Sequence, residues 1–193
     1  MVTLLLNQKK ELLQEKGKLD LGSFVFKIIL VGDYGVGKST SIHRFVENKF
    51  KANYVPTLGV QVTKKSIMVN GHNIDLMIWD LAGQDRYAMV RQRFYANTEG
   101  ILMLYDITRL SSLKNIKKWN AEVSRFVKNI PIILIGNKID LLEQREVRNA
   151  DVRKFLEENN INVHLKIKTS AKDGVNTENA FHFLVKRMMQ KYN

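Results

Sequence analysis

The residues best suited to chemistry form a glycine-rich run, Gly32–Ser39, that ends in Lys-Ser. The run follows the apolar, β-rich segment Phe24–Val31 and precedes an amphipathic helical pattern, which is the context of a phosphate-binding loop. Glycines let backbone N–H groups converge on phosphate oxygens, and the helix N-terminus adds positive potential. Lys38 can reach the terminal phosphates, and the Ser39 hydroxyl can ligate Mg²⁺. The predicted phosphate contacts are Gly32, Asp33, Tyr34, Gly35, Val36, Gly37, Lys38, Ser39 and the adjoining Thr40.

Two polar runs, Asn137–Asp140 and Thr169–Lys172, follow later apolar segments and could recognise a base. An Asp carboxylate accepts two hydrogen bonds from a purine that offers N1–H and an exocyclic amine side by side, as guanine does and adenine does not. Asp140 therefore favours guanine. Taken alone, Asn137–Asp140 would more often be a solvated loop, but its place after a strand and downstream of Gly32–Ser39 favours a base-binding function.

The elements that must position these residues alternate between β-rich apolar runs and helical periodicity, the pattern of an α/β fold. The predicted strands are Phe24–Val31, Gln61–Val69, Ile74–Trp79, Ile101–Tyr105, Ile132–Ile135 and Val163–Ile167. Asn70-Gly71 is a strong hairpin signal and predicts one antiparallel pair. The other connections are long enough for crossover helices. We therefore expect a six-stranded, mostly parallel sheet with one antiparallel strand and helices on both faces.

The amino-acid composition excludes several kinds of chemistry and favours phosphate-rich partners. The 193 residues include no cysteine, which excludes disulfides, thiolate catalysis and Cys-ligated zinc. Lys and Arg exceed Asp and Glu by 31 to 19, which favours phosphate-rich partners. No aromatic platform accompanies the lysines, so nucleic-acid binding is not expected. No apolar run can span a membrane, and no signal peptide is evident, so a cytoplasmic location is expected, with a peripheral position at membranes as the alternative. A monomer is expected, although the switch surfaces of relatives sometimes pair. The excess lysines are interpreted as solvated edges, among them Lys114, Lys117, Lys118, Lys166 and Lys168.

Five motifs in order resemble the Ras superfamily of small GTPases: Gly32–Ser39, Pro56–Thr57, Trp79–Gln84, Asn137–Asp140 and Thr169–Lys172. Trp79 and the stretch Tyr54–Val60 resemble the Rab branch most. The resemblance covers residues 24–193 and implies a P-loop NTPase (small G protein) fold. It also implies a switch that binds GTP, hydrolyses it slowly with Mg²⁺ and serves signalling and vesicle trafficking. Exchange factors, activators and effectors would bind residues 49–59 and 82–96.

The resemblance assigns roles around the γ-phosphate. Thr57 would contact this phosphate and ligate Mg²⁺ together with Ser39, while Asp80 would hold the metal through water. Gly83 would donate its N–H to the γ-phosphate, and Gln84 would orient the attacking water. The implied catalytic residues are thus Gln84, Lys38 and Thr57.

Further nucleotide contacts are implied at the base and over the phosphates. Phe50 would pack on the guanine face and Tyr54 would cover the phosphates, although for single aromatic residues an ordinary core or surface ring remains the alternative. The base contacts implied by the last two motifs are Asn137, Lys138, Asp140, Ser170, Ala171 and Lys172.

Two departures from the family concern Tyr34 and the C-terminus. Relatives carry Gly or a small residue at the position of Tyr34, so its bulk is expected to blunt activation by a partner's arginine; the alternative is a ring that folds outward harmlessly. Helical periodicity continues nearly to Asn193 without a cysteine, so no stable lipid anchor is expected. Tyr34 also keeps open a second function, a GTP-binding interaction module with little hydrolysis.

The N-terminal extension, residues 1–23, has a weaker pattern. Leu5, Leu12 and Leu19 recur at intervals of seven, whereas Lys9 and Lys16 interrupt the same face. The alternatives are a helix docked on its own domain or a neighbour, disorder, or reversible membrane contact through residues 2–21.

Overall fold

A six-stranded sheet forms the centre of the fold in the computed structural model, which describes residues 23–50 and 57–192. Its strands are β1 (Ser23–Val31), β2 (Val60–Val69), β3 (His72–Leu81), β4 (Gly100–Asp106), β5 (Ile132–Asn137) and β6 (Leu165–Thr169). The spatial order is β2-β3-β1-β4-β5-β6, with only the β2–β3 pair antiparallel among the described strands. The predicted sheet is confirmed.

The β2–β3 hairpin turns at the predicted dipeptide. Asn70 and Gly71 both have positive φ, 51° and 81°, as a two-residue turn between twisted strands requires. The last strand differs from its prediction, because β6 begins at Leu165 and extends through Thr169. Its backbone continues to pair with β5 up to Asn137, and backbone pairing needs no apolar side chain.

Helices cover both faces of the sheet. They are α1 (Lys38–Glu47), α2 (Ala88–Gln92), α3 (Leu110–Lys114), α4 (Ile116–Val123), α5 (Asn149–Glu158) and α6 (Thr177–Met189). Two 3₁₀ helices, Asp85–Tyr87 and Ile139–Gln144, complete the described elements. Residues 82–96, expected as a loop, thus contain a 3₁₀ turn and α2. Helix α6 ends at Met189, and the apolar residues predicted for it are buried: Phe181, Leu184, Val185, Met188 and Met189.

Two apolar cores lie on opposite faces of the sheet. Along β1, Leu30 joins a core with α1 and α6, whereas its neighbour Ile29 joins a core with α4 and α5. In the first core, the rings of Phe45 and Phe181 stack with centroids 4.0 Å apart. Burial on both faces is typical of parallel strands and explains their continuous apolar runs.

The predicted extension, residues 1–23, lies outside the described residues except for Ser23, the first residue of β1. Its three alternatives and the domain boundary therefore stay predictions. Across residues 23–50 and 57–192, no helix combines the length and hydrophobicity needed to cross a bilayer.

Candidate nucleotide-binding site

The glycine-rich loop lies between β1 and α1, at the edge where the parallel strands end. Gly32, Gly35 and Gly37 have positive φ values of 140°, 77° and 98°, which a side chain would make costly. A Cβ on Gly37 would also collide with the side-chain amide of Asn137. The loop is thus shaped by backbone geometry and close packing, and α1 begins directly behind it at Lys38.

Lys38 is enclosed by this loop, with 6% of its surface exposed. Its Nζ donates hydrogen bonds to the carbonyl oxygens of Gly32 (2.8 Å) and Asp33 (2.9 Å). Burial lowers the pKa of the ammonium to about 8, although the carboxylates of Asp80 and Asp33 oppose the shift. An anion in the loop would compensate the desolvated charge.

Three oxygen-bearing side chains converge beside Lys38. Ser39 Oγ lies 2.8 Å from Thr57 Oγ1 and also donates to Asp80 Oδ2, while Thr57 Oγ1 donates to the same carboxylate oxygen at 3.0 Å. Asp80 is 2% exposed, and its Oδ1 has no hydrogen-bond partner among the described residues. Two hydroxyls and a carboxylate are the hard oxygen donors that Mg²⁺ prefers. These residues fit the predicted metal.

Gly83 packs directly on the glycine-rich loop. A Cβ at this position would lie 2.6 Å from both Gly32 O and the carbonyl carbon of Asp33. Only glycine allows this approach, because neither backbone can move aside cheaply. The contact places Gln84, the predicted water-orienting residue, immediately beside the phosphate loop.

A buried ion pair holds the backbone of Gln84. Arg91 is fully buried and makes two hydrogen bonds of 2.7 Å to the carboxylate of Glu122, while its Nη1 donates to Gln84 O at 2.9 Å. Tyr95 Oη donates to Glu122 at 2.6 Å. Burial acts to lower the pKa of Arg91, but hydrogen bonding and charge attraction from Glu122 outweigh it and raise that pKa. The guanidinium is therefore permanently charged and holds Gln84 against α4.

Helix α4 and Asn115, the residue just before it, also anchor the phosphate loop. Asp33 accepts hydrogen bonds from Asn115 Nδ2 and Trp119 Nε1, both at 2.8 Å. The guanidinium carbon of Arg91 lies 4.3 Å from the centroid of the Trp119 ring. Trp119 thus contacts both the loop and the arginine that holds Gln84.

Tyr34 occupies the outer side of the phosphate loop. Its side chain is 42% exposed, and its carbonyl oxygen accepts a hydrogen bond of 2.8 Å from Arg109 Nη2. A Cβ on Gly83 would lie 2.5 Å from the Tyr34 nitrogen. The backbone of Tyr34 is therefore fixed on two sides beside Gly83, and the predicted effect of its ring on an approaching arginine stays a prediction.

Asn137 joins three of the predicted motifs. Its Nδ2 donates to Val36 O at 2.9 Å, and its Oδ1 accepts from Thr169 Oγ1 (2.9 Å) and Ala171 N (3.1 Å). These bonds make Asn137 a structural tie between the phosphate loop and the segment after β6.

The carboxylate of Asp140 lies beside this tie, where Ser170 Oγ donates to Asp140 Oδ1 at 2.8 Å. Its neighbour Lys138 forms an ion pair of 2.7 Å with Asp106. Burial acts to raise the pKa of Asp106, but hydrogen bonds from Lys138 and Thr108 outweigh it and lower that pKa. Lys138 is thus held in place by a charged partner.

Arg44 of α1 supports the segment after β6 from the other side. Its guanidinium donates to Ala171 O at 3.0 Å and to Lys172 O. The sequence analysis did not identify Arg44, Asp106, Arg91, Tyr95, Trp119 or Glu122 as site residues. For α4, the sequence does contain one indication of a buried carboxylate. Trp119 and Glu122 are three residues apart and share a helix face, so Glu122 falls within an apolar stripe.

The two aromatic residues predicted to pack on the base and to cover the phosphates lie at the edge of the described residues or outside them. Tyr54 and Pro56 lie outside the described residues. Phe50 is the last described residue before that gap and is 43% exposed. Thr40 lies in the first turn of α1. The roles of Phe50, Tyr54 and Thr40 therefore stay predictions.

The fold and the convergent loops define a phosphate-loop α/β protein in which the predicted base-binding segments lie together after β5 and β6. The chain matches the profile of the Ras family over residues 27–190. It is also 40% identical over 159 residues to the GTP-binding protein ypt3 of Schizosaccharomyces pombe, an alignment that covers 82% of this chain and 73% of that protein.

The chain therefore belongs to the Ras family and is a small GTPase of the Rab-like type, as its motifs predicted.

Proposed function

We propose that the protein is a switch that binds GTP or GDP with Mg²⁺ and hydrolyses GTP slowly. One observation carries the proposal: the buried Lys38, the Ser39–Thr57–Asp80 oxygen cluster and the Asp140–Ser170 pair lie at one edge of the sheet. The first suits terminal phosphates, the second a hard divalent cation, and the third the Watson–Crick edge of guanine. Family membership supports the same assignment.

The chemistry follows from what each residue can do. Lys38 would place its ammonium against the terminal phosphate oxygens, and Gly83 would offer a backbone donor where a side chain cannot fit. Gln84 would orient water for in-line attack on the γ-phosphate. Mg²⁺, held by the oxygen cluster, would neutralise charge on the phosphates.

Two segments would change between nucleotide states. Residues 49–59 include Thr57 and residues 82–96 include Gly83, so loss of the γ-phosphate would remove a contact from each. Both are the proposed surfaces for exchange factors, activators and effectors. Intrinsic hydrolysis is expected at roughly 10⁻⁴ to 10⁻² per second, as in slow members of the class. Similarity to a Rab-like protein supports a cytoplasmic protein that acts at membrane surfaces in vesicle trafficking.

Replacing Gln84 with Leu tests the proposal, because Leu keeps the side-chain size and removes the amide. We expect single-turnover GTP hydrolysis to fall roughly tenfold or more, since the water loses its orienting group. The GDP dissociation constant should stay within about threefold of wild type, because the backbone of Gln84 remains held by Arg91. Phosphate release over hours and a fluorescent-GDP titration measure the two quantities. If wild type and variant are equally inert, the binding module with little hydrolysis is the correct function.

Replacing Tyr34 with Gly tests whether the phenol obstructs a partner's arginine. We expect the cognate activator to accelerate Tyr34→Gly more than wild type, because a side chain beside Gly83 would crowd the approach to the γ-phosphate. Phosphate release with and without activator gives the two acceleration factors. Equal factors would show that the ring does not obstruct the arginine.

A further inference from the structure

A cavity lies between the edge strand β6 and helix α5, away from the predicted nucleotide site. Its volume is about 480 Å³, within the range of small-molecule sites. It shares no lining residue with the predicted nucleotide site. Leu134 and Val152 form apolar parts of its wall, while Arg153, Lys166 and Lys168 contribute positive charge.

The side chain of Tyr105 reaches this cavity by crossing strand β5 at a glycine. Tyr105 on β4 pairs in register with Gly136 on β5, and Gly136 pairs with Lys168 on β6. A Cβ on Gly136 would lie 2.7 Å from Tyr105 Cζ and would also contact the hydroxyl. The ring therefore crosses β5 and carries its hydroxyl toward Lys168. Gly136 is required for this arrangement.

The hydroxyl of Tyr105 is an available donor. The residue is 4% exposed, and no hydrogen bond joins this hydroxyl to another described residue. Burial raises the pKa of Tyr105 to about 12, with Arg145 acting weakly in the other direction, so the group stays protonated at neutral pH. The hydroxyl oxygen faces the open space of the cavity, where it can donate a hydrogen bond to a ligand acceptor.

The positive side chains around the cavity form no ion pair with a described residue. Within residues 23–50 and 57–192, the side chains of Arg153, Lys166 and Lys168 form no ion pair or hydrogen bond. None of the described lining residues is Asp or Glu. Lys168 is half-buried, and desolvation together with nearby Arg145 lowers its pKa. The cavity therefore brings three positive side chains without an ion-pair partner next to the hydroxyl donor of Tyr105.

We propose that this cavity binds a phosphate ester, carried either by a soluble small molecule or by a lipid headgroup. Lys166 and Lys168 would act as point charges, Arg153 as a planar fork for phosphate oxygens, and Tyr105 as a neutral donor at the floor. Leu134 and Val152 suit the carbon skeleton of the ester. The site is independent of the nucleotide switch and gives the chain a second ligand.

The test titrates myo-inositol trisphosphate into the full chain saturated with GDP and Mg²⁺, followed by backbone amide chemical shifts. We expect saturable shifts on β6 and α5, and roughly tenfold weaker binding in the Lys166→Gln/Lys168→Gln variant, because two charge-assisted contacts are lost. Tyr105→Phe should weaken binding about threefold through loss of one neutral donor. GDP affinity should not change in either variant, which shows that both remain folded.

Lys114→Gln/Lys117→Gln is the matched control, since it removes the same charge from exposed positions outside the cavity. Equal weakening by the two double variants, or no saturable shift in wild type, would overturn the proposal. Sedimentation with phosphatidylcholine vesicles containing phosphatidylinositol bisphosphate identifies the source. If the protein sediments with these vesicles and soluble inositol trisphosphate releases it, the ligand is a lipid headgroup. If the protein binds only the soluble probe, the ligand is a soluble ester.

Discussion

Replacing Asp140 with Asn is expected to weaken GDP binding by roughly 10²- to 10⁴-fold, since it removes one hydrogen bond to a charged group, worth about 1.5–3 kcal/mol, and leaves a guanine donor unpaired at about 1–3 kcal/mol more. The proposed carboxylate accepts from guanine N1–H and the exocyclic amine. An Asn amide can accept only one of these bonds, through its oxygen. Its NH₂ group then faces the exocyclic amine of guanine, so that two donors oppose each other. Ser170 Oγ, which donates to Asp140 Oδ1 at 2.8 Å, can still donate to the Asn oxygen. The loss of GDP affinity should therefore come from the contact with the base.

The same variant should bind xanthosine diphosphate better than GDP. Xanthine carries a carbonyl where guanine carries the exocyclic amine, so the Asn amide donates to it while accepting from N1–H. Displacement of a fluorescent nucleotide by each diphosphate measures both affinities. Asp173→Asn is the matched control, because Asp173 also contacts Ser170, at 3.2 Å. Retention of wild-type GDP affinity by Asp140→Asn would contradict the assigned base contact.

Replacing Glu122 with Ala is expected to destabilise the protein by about 3–5 kcal/mol, because it leaves a buried guanidinium without its counter-charge. Arg91 is fully buried, and both of its 2.7 Å hydrogen bonds to Glu122 would be lost. Tyr95 would lose its acceptor as well. Urea unfolding of the GDP-saturated protein measures the change, at one fixed nucleotide concentration because bound ligand adds to apparent stability.

Two further variants show whether the loss of stability comes from breaking the ion pair or from removing any carboxylate. Glu157→Ala removes an exposed carboxylate from α5 and should change the free energy of unfolding by less than about 0.5 kcal/mol. Arg91→Met combined with Glu122→Leu should recover most of the stability, since apolar residues of similar volume replace both charges. If Glu122→Ala is no more destabilising than Glu157→Ala, the ion pair does not stabilise this region.

The sheet could be predicted from sequence because its signals are local. Continuous apolar runs mark strands buried on both faces, and Asn70-Gly71 fixes a two-residue turn through backbone conformation alone. The end of β6 was less predictable. Lys168 and Thr169 are polar, yet their backbone groups pair with β5 as well as apolar residues would.

The predicted phosphate and base motifs could be placed at one edge because each follows a parallel strand. The contacts that tie them together could not be predicted. Arg91 and Glu122 are 31 positions apart, and Asp33 and Trp119 are 86 apart. Such pairs depend on how α4 packs against the sheet, and a charged residue alone does not indicate whether it is buried or solvated.

Lys166 and Lys168 illustrate the same difficulty. Alternation along a strand places both on one face of β6, and the pattern favours a solvated edge. Their contact with a cavity depends on α5 and on Tyr105 crossing Gly136, which are tertiary features. Sequence periodicity therefore predicted the face on which these lysines lie, and the structure adds their surroundings.

The most direct test compares the affinities of the nucleotide-free protein for GDP and ADP by calorimetry in the presence of Mg²⁺. Both ligands engage Lys38 and the phosphate loop equally, so their difference reports the base contact alone. We predict a preference for GDP of roughly 10⁴-fold or more, because adenine leaves the Asp140 carboxylate without its donors. Equal affinities for the two diphosphates would contradict the account.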